Sequence, residues 1–245
     1  MTNNAIPRLG WVFEAEHARL GRGKGCPIVV GKTLFDNRGL YAGECVLDAL
    51  YCNSRPVRFL HRVRIGGHTI RLERGWATAA RASLWSFDCT DSLYSFARQC
   101  ALHAISTSKW PAPSVVTEYL TTGQKSLRKA ASAATRQGAQ REGAYNADWA
   151  SAQEATRAVT QGDTWSSARR AALYAAEAAL CVAGWAASRA VTGKETWAAA
   201  WGAAWCAAST AARNAARAAQ NEMLTGLVLA AATEHGLLTK EENDG

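Results

Sequence analysis

The run Thr196–Gln220, TWAAAWGAAWCAASTAARNAARAAQ, constrains the rest of the chain more than any other stretch. Alanine forms helix at the lowest conformational cost of any residue, because it has no side-chain rotamers to lose. Trp197, Trp201 and Trp205 recur at every fourth position, which stacks three indoles along one stripe. Alanine pairs at 203/204, 207/208, 211/212, 215/216 and 218/219 advance about 3.75 residues per step, above the helical 3.6, so the small-residue stripe drifts right-handed. A face this flat lets a neighbouring helix come to the short end of the roughly 8–10 Å interaxial range. The indoles supply the burial that methyl groups cannot. A helical scaffold is therefore expected, with chemistry left to be found elsewhere.

A chain of 245 residues makes one large domain or two ordinary ones, and 48% hydrophobic content is enough for a real core. The net charge of +8 fits either a scattered, solvated Lys/Arg surface or an acidic partner. That partner would be a nucleic acid, an anionic nucleotide or an acidic protein. Seven cysteines, an odd number without a CxxC pair, indicate free thiols in a reducing cytoplasm. The start of the chain carries Glu14 and Glu16 and lacks the apolar core of a secretory signal. The longest uncharged run, Thr196–Ala212, falls short of the ~20 apolar residues that span a bilayer, so no membrane association is expected.

Residues 1–90 read as a small α+β domain, with glycine, proline and asparagine between short apolar runs. Ile28–Val30 reads as a strand and Glu44–Tyr51 as a short helix. Pro56–Ile65 is the clearest strand: Val57, Phe59, His61, Val63 and Ile65 point one way, Arg58, Leu60, Arg62 and Arg64 the other. Gly66-Gly67 then reads as a hairpin turn and His68–Leu72 as the return strand. From residue 91 to 238 the pattern is helical. Asp91 or Ser92 can cap a helix to about Ser108, and Ser114 a short one that stops at Gly123. Longer segments follow around 124–137, 144–160, 164–191 and 194–232. Short links between them predict an antiparallel Ala/Trp-rich bundle, making the protein mostly α overall, with a frayed tail at 239–245.

Gly39-Leu40-Tyr41-Ala42, then Leu47-Asp48-Ala49-Leu50-Tyr51 and the strand ending at Gly66-Gly67, resemble a family of phage and actinobacterial proteins. Its members carry a Gly-Leu-His-Ala segment, a Leu-Asp-Ala-Leu-x-Tyr helix and a Cys-Arg-Val strand. Leu84-Trp85 and Phe96-Ala97 with Cys100-Ala101 fit the same pattern. Here Tyr41 stands at the histidine position and His61 at the strand-cysteine position. The alanine- and tryptophan-rich helices resemble the immunity-protein-like region attached to that family. The resemblance implies a non-catalytic accessory or immunity-like role, acting through protein association or assembly.

Other chemistries have partial support. Gly39–Ala42 with Tyr41, Tyr51 and a downstream Glu73 is similar to the strand–helix element lining the nicotinamide pocket of ADP-ribosyltransferases. The simpler reading makes the tyrosines packing aromatics and Glu73 a solvated charge. Cys45, Cys52, His61 and His68 do not have zinc spacing, and no metal or other cofactor is expected. Gly21, Gly23 and Gly25 lack the G-K-[ST] ending of a phosphate loop. Arg58, Arg62 and Arg64, with Arg71 near them, form the one local basic patch suited to an anion. Trp197, Trp201, Trp205, Arg213 and Arg217 are the residue types that interfaces favour, and are the expected contacts to a protein partner or a second copy.

Overall fold

The computed structural model describes residues 8–14, 29–52, 56–142, 147–189 and 197–238; the side chains described exclude those of 36–39, 138–142, 189 and 197–201. The fold is α+β and mostly α. Among the described residues, β1 (Arg8–Glu14), β2 (Thr33–Gly43), α1 (Val46–Cys52), β3 (Phe59–Leu72) and β4 (Gly75–Asp88) come first. Then follow α2 (Thr90–Ser108), α3 (Ser114–Thr122), a 3-10 turn (Lys125–Leu127), α4 (Arg128–Glu142), α5 (Ala147–Gln161), α6 (Thr164–Arg189) and α7 (Trp197–Glu234). Two compact units result: Met1–Ser92 together with Met223–Gly245, and Leu93–Glu222.

In the first unit the strands close into an antiparallel barrel in the order β1-β2-β4-β3. β1 pairs with β3 from Arg8↔Ile65 to Glu14↔Phe59, and meets β2 at Trp11↔Gly43. Val12, Ala42, Val63 and Ile65 form a buried cluster with Trp76 packed against it. Gly66-Gly67 does not turn the chain. Thr78 Oγ1 donates to the Gly66 carbonyl at 2.6 Å, the register shifts between Gly66 and Thr69, and Gly67 has φ +70. The pair is a bulge inside one 14-residue strand, where glycine supplies the left-handed backbone that other residues resist. His68–Leu72 therefore continues β3, and the reversal comes at Glu73-Arg74, between paired Leu72 and Gly75. Strict alternation along β3 also fails at its start. Leu60 and His61 are neighbours and both are buried, so the strand is covered on both faces there. Of the expected strand at Ile28–Val30, Val30 makes an isolated bridge to Ser83 and Ile28 lies outside the described residues.

Two helix starts differ from their expected caps. α2 begins at Thr90, one residue before Asp91, and its first turn is held from upstream. Asp88 accepts the Thr90 N–H on Oδ1 at 3.0 Å and Arg58 Nε on Oδ2 at 2.6 Å. α3 begins at Ser114 itself, with Pro113 in the capping position and no side-chain cap bond, and it stops at Gly123 as expected.

In the second unit, α5 and α6 are joined across Gly162-Asp163 and pack through alanine. Ala152, Ala155 and Ala158 on α5 and Ala168, Ala171, Ala172, Ala175 and Ala178 on α6 are buried. Buried hydroxyls find partners within their own helices: Thr135, Thr156 and Ser188 each donate to the carbonyl four residues back. α6 and α7 run antiparallel, with Gln220 Nε2 donating to the Ala172 carbonyl at 2.8 Å and Ser209 Oγ to that of Leu180. On α7 four of the five alanine pairs split, and Ala218 and Ala219 are both exposed. Ala203, Ala207, Ala211 and Ala215 face solvent, while Ala216 is buried, followed every fourth residue by Gln220, Leu224, Val228 and Ala232. Among the described residues α6 is long and apolar enough to cross a bilayer by length and composition, with a mean hydropathy of 1.3 in its most apolar 18-residue window. Half of its most apolar window is buried within the protein, as in the core helix of a bundle.

Candidate anion-binding site

The sequence KSLRKAASAATR forms the 3-10 turn Lys125–Leu127 and the start of α4. It places Lys125, Lys129, Ser132 and Arg136 at steps of four, three and four residues, which a helix gathers on one face. That face and the end of α5 border a wide-open surface depression of about 510 Å³, lined by Lys125, Arg128, Lys129, Ser132, Arg136, Thr160 and Gln161. Four of the seven lining residues are cationic and none is acidic.

Arg128 fixes the wall. Its Nε donates to the Thr160 carbonyl at 3.0 Å and its Nη2 to the Gly162 carbonyl at 2.7 Å. These are carbonyls at the C-terminal end of α5, which have no partner within the helix and carry its partial negative charge. The guanidinium thus satisfies them and offsets that charge beside the depression. Lys125, Lys129 and Arg136 are exposed and, among the described residues, form no ion pair. A cationic depression without an internal counter-charge lowers the free energy of an anion placed in it.

Of the expected basic patch on β3, Arg58 and Arg62 are engaged by other side chains. Arg58 pairs with Asp88 and lies over the Phe59 ring, and Arg62 lies 4.3 Å from the Trp11 ring centroid. Arg64 is exposed, and Arg71 donates to both carboxylate oxygens of Glu44. Arg71 and Arg8 also lie 4.6 Å and 4.4 Å from the centroid of Trp76. These guanidiniums act as packing surface for indoles, each a cation–π contact.

The residues of the nicotinamide reading come partly together. β2 leads into α1 as the strand–helix comparison implied, and the Tyr41 hydroxyl donates to the Arg74 carbonyl at 2.6 Å. Burial and the neighbouring Cys52 hold that hydroxyl well above the ordinary tyrosine range. Tyr51 is half-buried at the end of α1. Glu73, on the β3–β4 turn, has a side chain 89% exposed and stands 3.8 Å from Arg74. Cys45 caps α1, His61 is buried in the barrel, and among the described residues no three His, Cys, Asp or Glu side chains are grouped to hold a metal. The Gly21–Gly25 motif lies outside the described residues.

His61 has neighbours that sequence reasoning missed. Its Nδ1 is 3.1 Å from Ser83 Oγ, and its Nε2 is 3.0 Å from a Glu14 oxygen without hydrogen-bond alignment. The trio has the membership of a Ser-His-Glu relay, yet Ser83 is 1% exposed and its hydroxyl also points to the Trp85 carbonyl. A nucleophile so enclosed cannot meet a substrate, so the trio is read as a buried polar network.

The side chains of Trp197 and Trp201 lie outside the described residues. Trp205 packs on α6, edge to face with Trp185 at 5.2 Å, and above Gly184, where a Cβ would come within 2.8 Å of the indole. Trp185 itself is 45% exposed. Arg213 is exposed and Arg217 half-buried. The chain has no match among protein-family models, curated proteins or solved structures.

Proposed function

We propose that this is a non-catalytic binding protein of the cytoplasm, of the phage-accessory or immunity-like kind, whose helical unit holds an anionic partner. The observation that carries the reading is the depression at α4, with four cationic side chains and no carboxylate in its lining. Charges of one sign gathered on one surface speed the encounter with an opposite charge and hold it, an effect that salt weakens. Phosphocellulose chromatography of the whole chain tests this. The triple variant Lys125→Glu, Lys129→Glu, Arg136→Glu should elute at clearly lower salt than a variant reversing three exposed charges outside the depression. Equal elution of the two would sink the reading.

A second reading, association through α6 and α7, is favoured by Trp185, an exposed indole already seated against Trp205. It expects Trp185→Ala to lower the mass measured by light scattering, or to abolish capture of a purified partner, without loss of helix content. An unchanged mass and unchanged capture would remove it.

A further inference from the structure

We infer that the anion held at α4 is a compact oligophosphate, a run of linked phosphate groups, recognised without a nucleobase; this rests on the anion-binding reading above. Three observations select that ligand. First, the depression at α4 has room, at about 510 Å³, for more than a single small anion, and its open side leaves an extended chain of charges free to lie along it. Second, its lining contains no aromatic residue, so a base would find nothing to stack on. The binding energy must come from the charged part of the ligand alone. Third, the donors approach from two elements. Lys125, Lys129, Ser132 and Arg136 line one side and Gln161 another. From Lys129 to Arg136 the donors spread over roughly 10 Å of α4 at ~1.5 Å per residue, with Lys125 on the 3-10 turn before it.

Phosphate suits that arrangement better than carboxylate. A linked phosphate presents acceptor oxygens in several directions, and a chain of them carries several charges over a short length. Lys129 can then meet one phosphate while Arg136 meets another, with the Ser132 hydroxyl, which lies between them in sequence, as a further donor. A carboxylate offers two oxygens in one plane, and matching the charge takes a longer, more flexible molecule that loses more entropy on binding.

The test is calorimetric titration of the full chain with sodium tripolyphosphate, a charge-matched oligo-aspartate and a single-stranded oligonucleotide. Tripolyphosphate should bind about tenfold more tightly than oligo-aspartate, a difference of about 1.4 kcal/mol. Lys129→Glu or Arg136→Glu should weaken it by about tenfold or more, the scale of one lost charged hydrogen bond. Lys32→Glu, reversing an exposed charge outside the depression, should leave it unchanged. Equal affinity for oligo-aspartate would overturn the phosphate assignment and leave the general anion site standing. Tighter binding of the oligonucleotide would overturn it in favour of a nucleic-acid strand. No binding of any of the three would end both readings.

Discussion

The Cys45 thiol and the Asp48 carboxylate close the first turn of α1 on each other: Cys45 Sγ donates to Asp48 Oδ2 at 3.0 Å and accepts the Asp48 N–H at 3.4 Å. The thiol stands where an N-cap hydroxyl usually accepts the backbone N–H three residues on, and it gives its own proton to the side chain of that same residue. Burial, then the bond to Asp48, pushes the Cys45 thiol up to about 11. Its folded value lies above the ordinary thiol value, so its contribution is complete below the unfolded pKa and is lost as pH rises toward 11. Cys45→Ala should cost about 0.5–2 kcal/mol in urea unfolding at neutral pH, the usual worth of a cap. Cys45→Ser, which keeps a donor and an acceptor, should recover most of it. Equal stability of the two variants would contradict the capping role.

Asp88 gives the opposite pH signature. Burial alone would raise its carboxyl, but the Thr90 and Arg58 hydrogen bonds outweigh it and hold the group below the usual carboxylate value. The stability it adds is present above the unfolded pKa of about 3.9 and disappears as pH falls through the folded value. Asp88→Asn should therefore be less stable than the parent at neutral pH, and the gap should close in acid. Thermal unfolding from pH 7 to pH 3 measures it; a gap constant across that range would refute the assignment.

Gly184 sets how closely α7 approaches α6. A Cβ there would meet the Trp205 ring at 2.8 Å and Ser209 Oγ at 2.7 Å. Gly184→Val should destabilise the protein by roughly 1–3 kcal/mol through overpacking and shift tryptophan emission. Gly202, where an added Cβ would meet no atom within 4 Å, should accept alanine with no loss. Comparable losses at both positions would argue against close packing at Gly184.

The elements were legible in the sequence where one physical signal dominated. Helical periodicity and Gly or Pro breaks placed α2, α3, α5 and α6, and α1 followed from Val46, Leu47 and Leu50, all buried; the segment expected at 124–137 instead starts as a 3-10 turn, and α4 runs from Arg128 through Gly138 to Glu142, since one glycine costs a helix interior little. Gly66-Gly67 misled because the same permissive backbone serves a turn or a bulge, and only pairing with Thr78 across the sheet decides between them. Barrel closure depends on which strands meet, and no local pattern records that β1 reaches both β3 and β2. Nor can sequence alternation show Asp88 beside Arg58 or Trp11 beside Arg62 on β3. The depression at α4 did have a visible signal: Lys125, Lys129 and Arg136 repeat on one helical face without an acid between them. What the sequence could not supply was the concavity, which requires the end of α5 to come alongside and Arg128 to bridge to it.

The central claim, that the cations at α4 hold an anion, is tested most directly by the salt dependence of tripolyphosphate affinity in the whole chain and in the Lys125→Glu, Lys129→Glu, Arg136→Glu variant. Affinity in the parent should fall steeply as sodium chloride rises, because the interaction between exposed charges is screened, and the variant should show little binding at any salt. Parent and variant binding with the same affinity and the same slope would contradict the account.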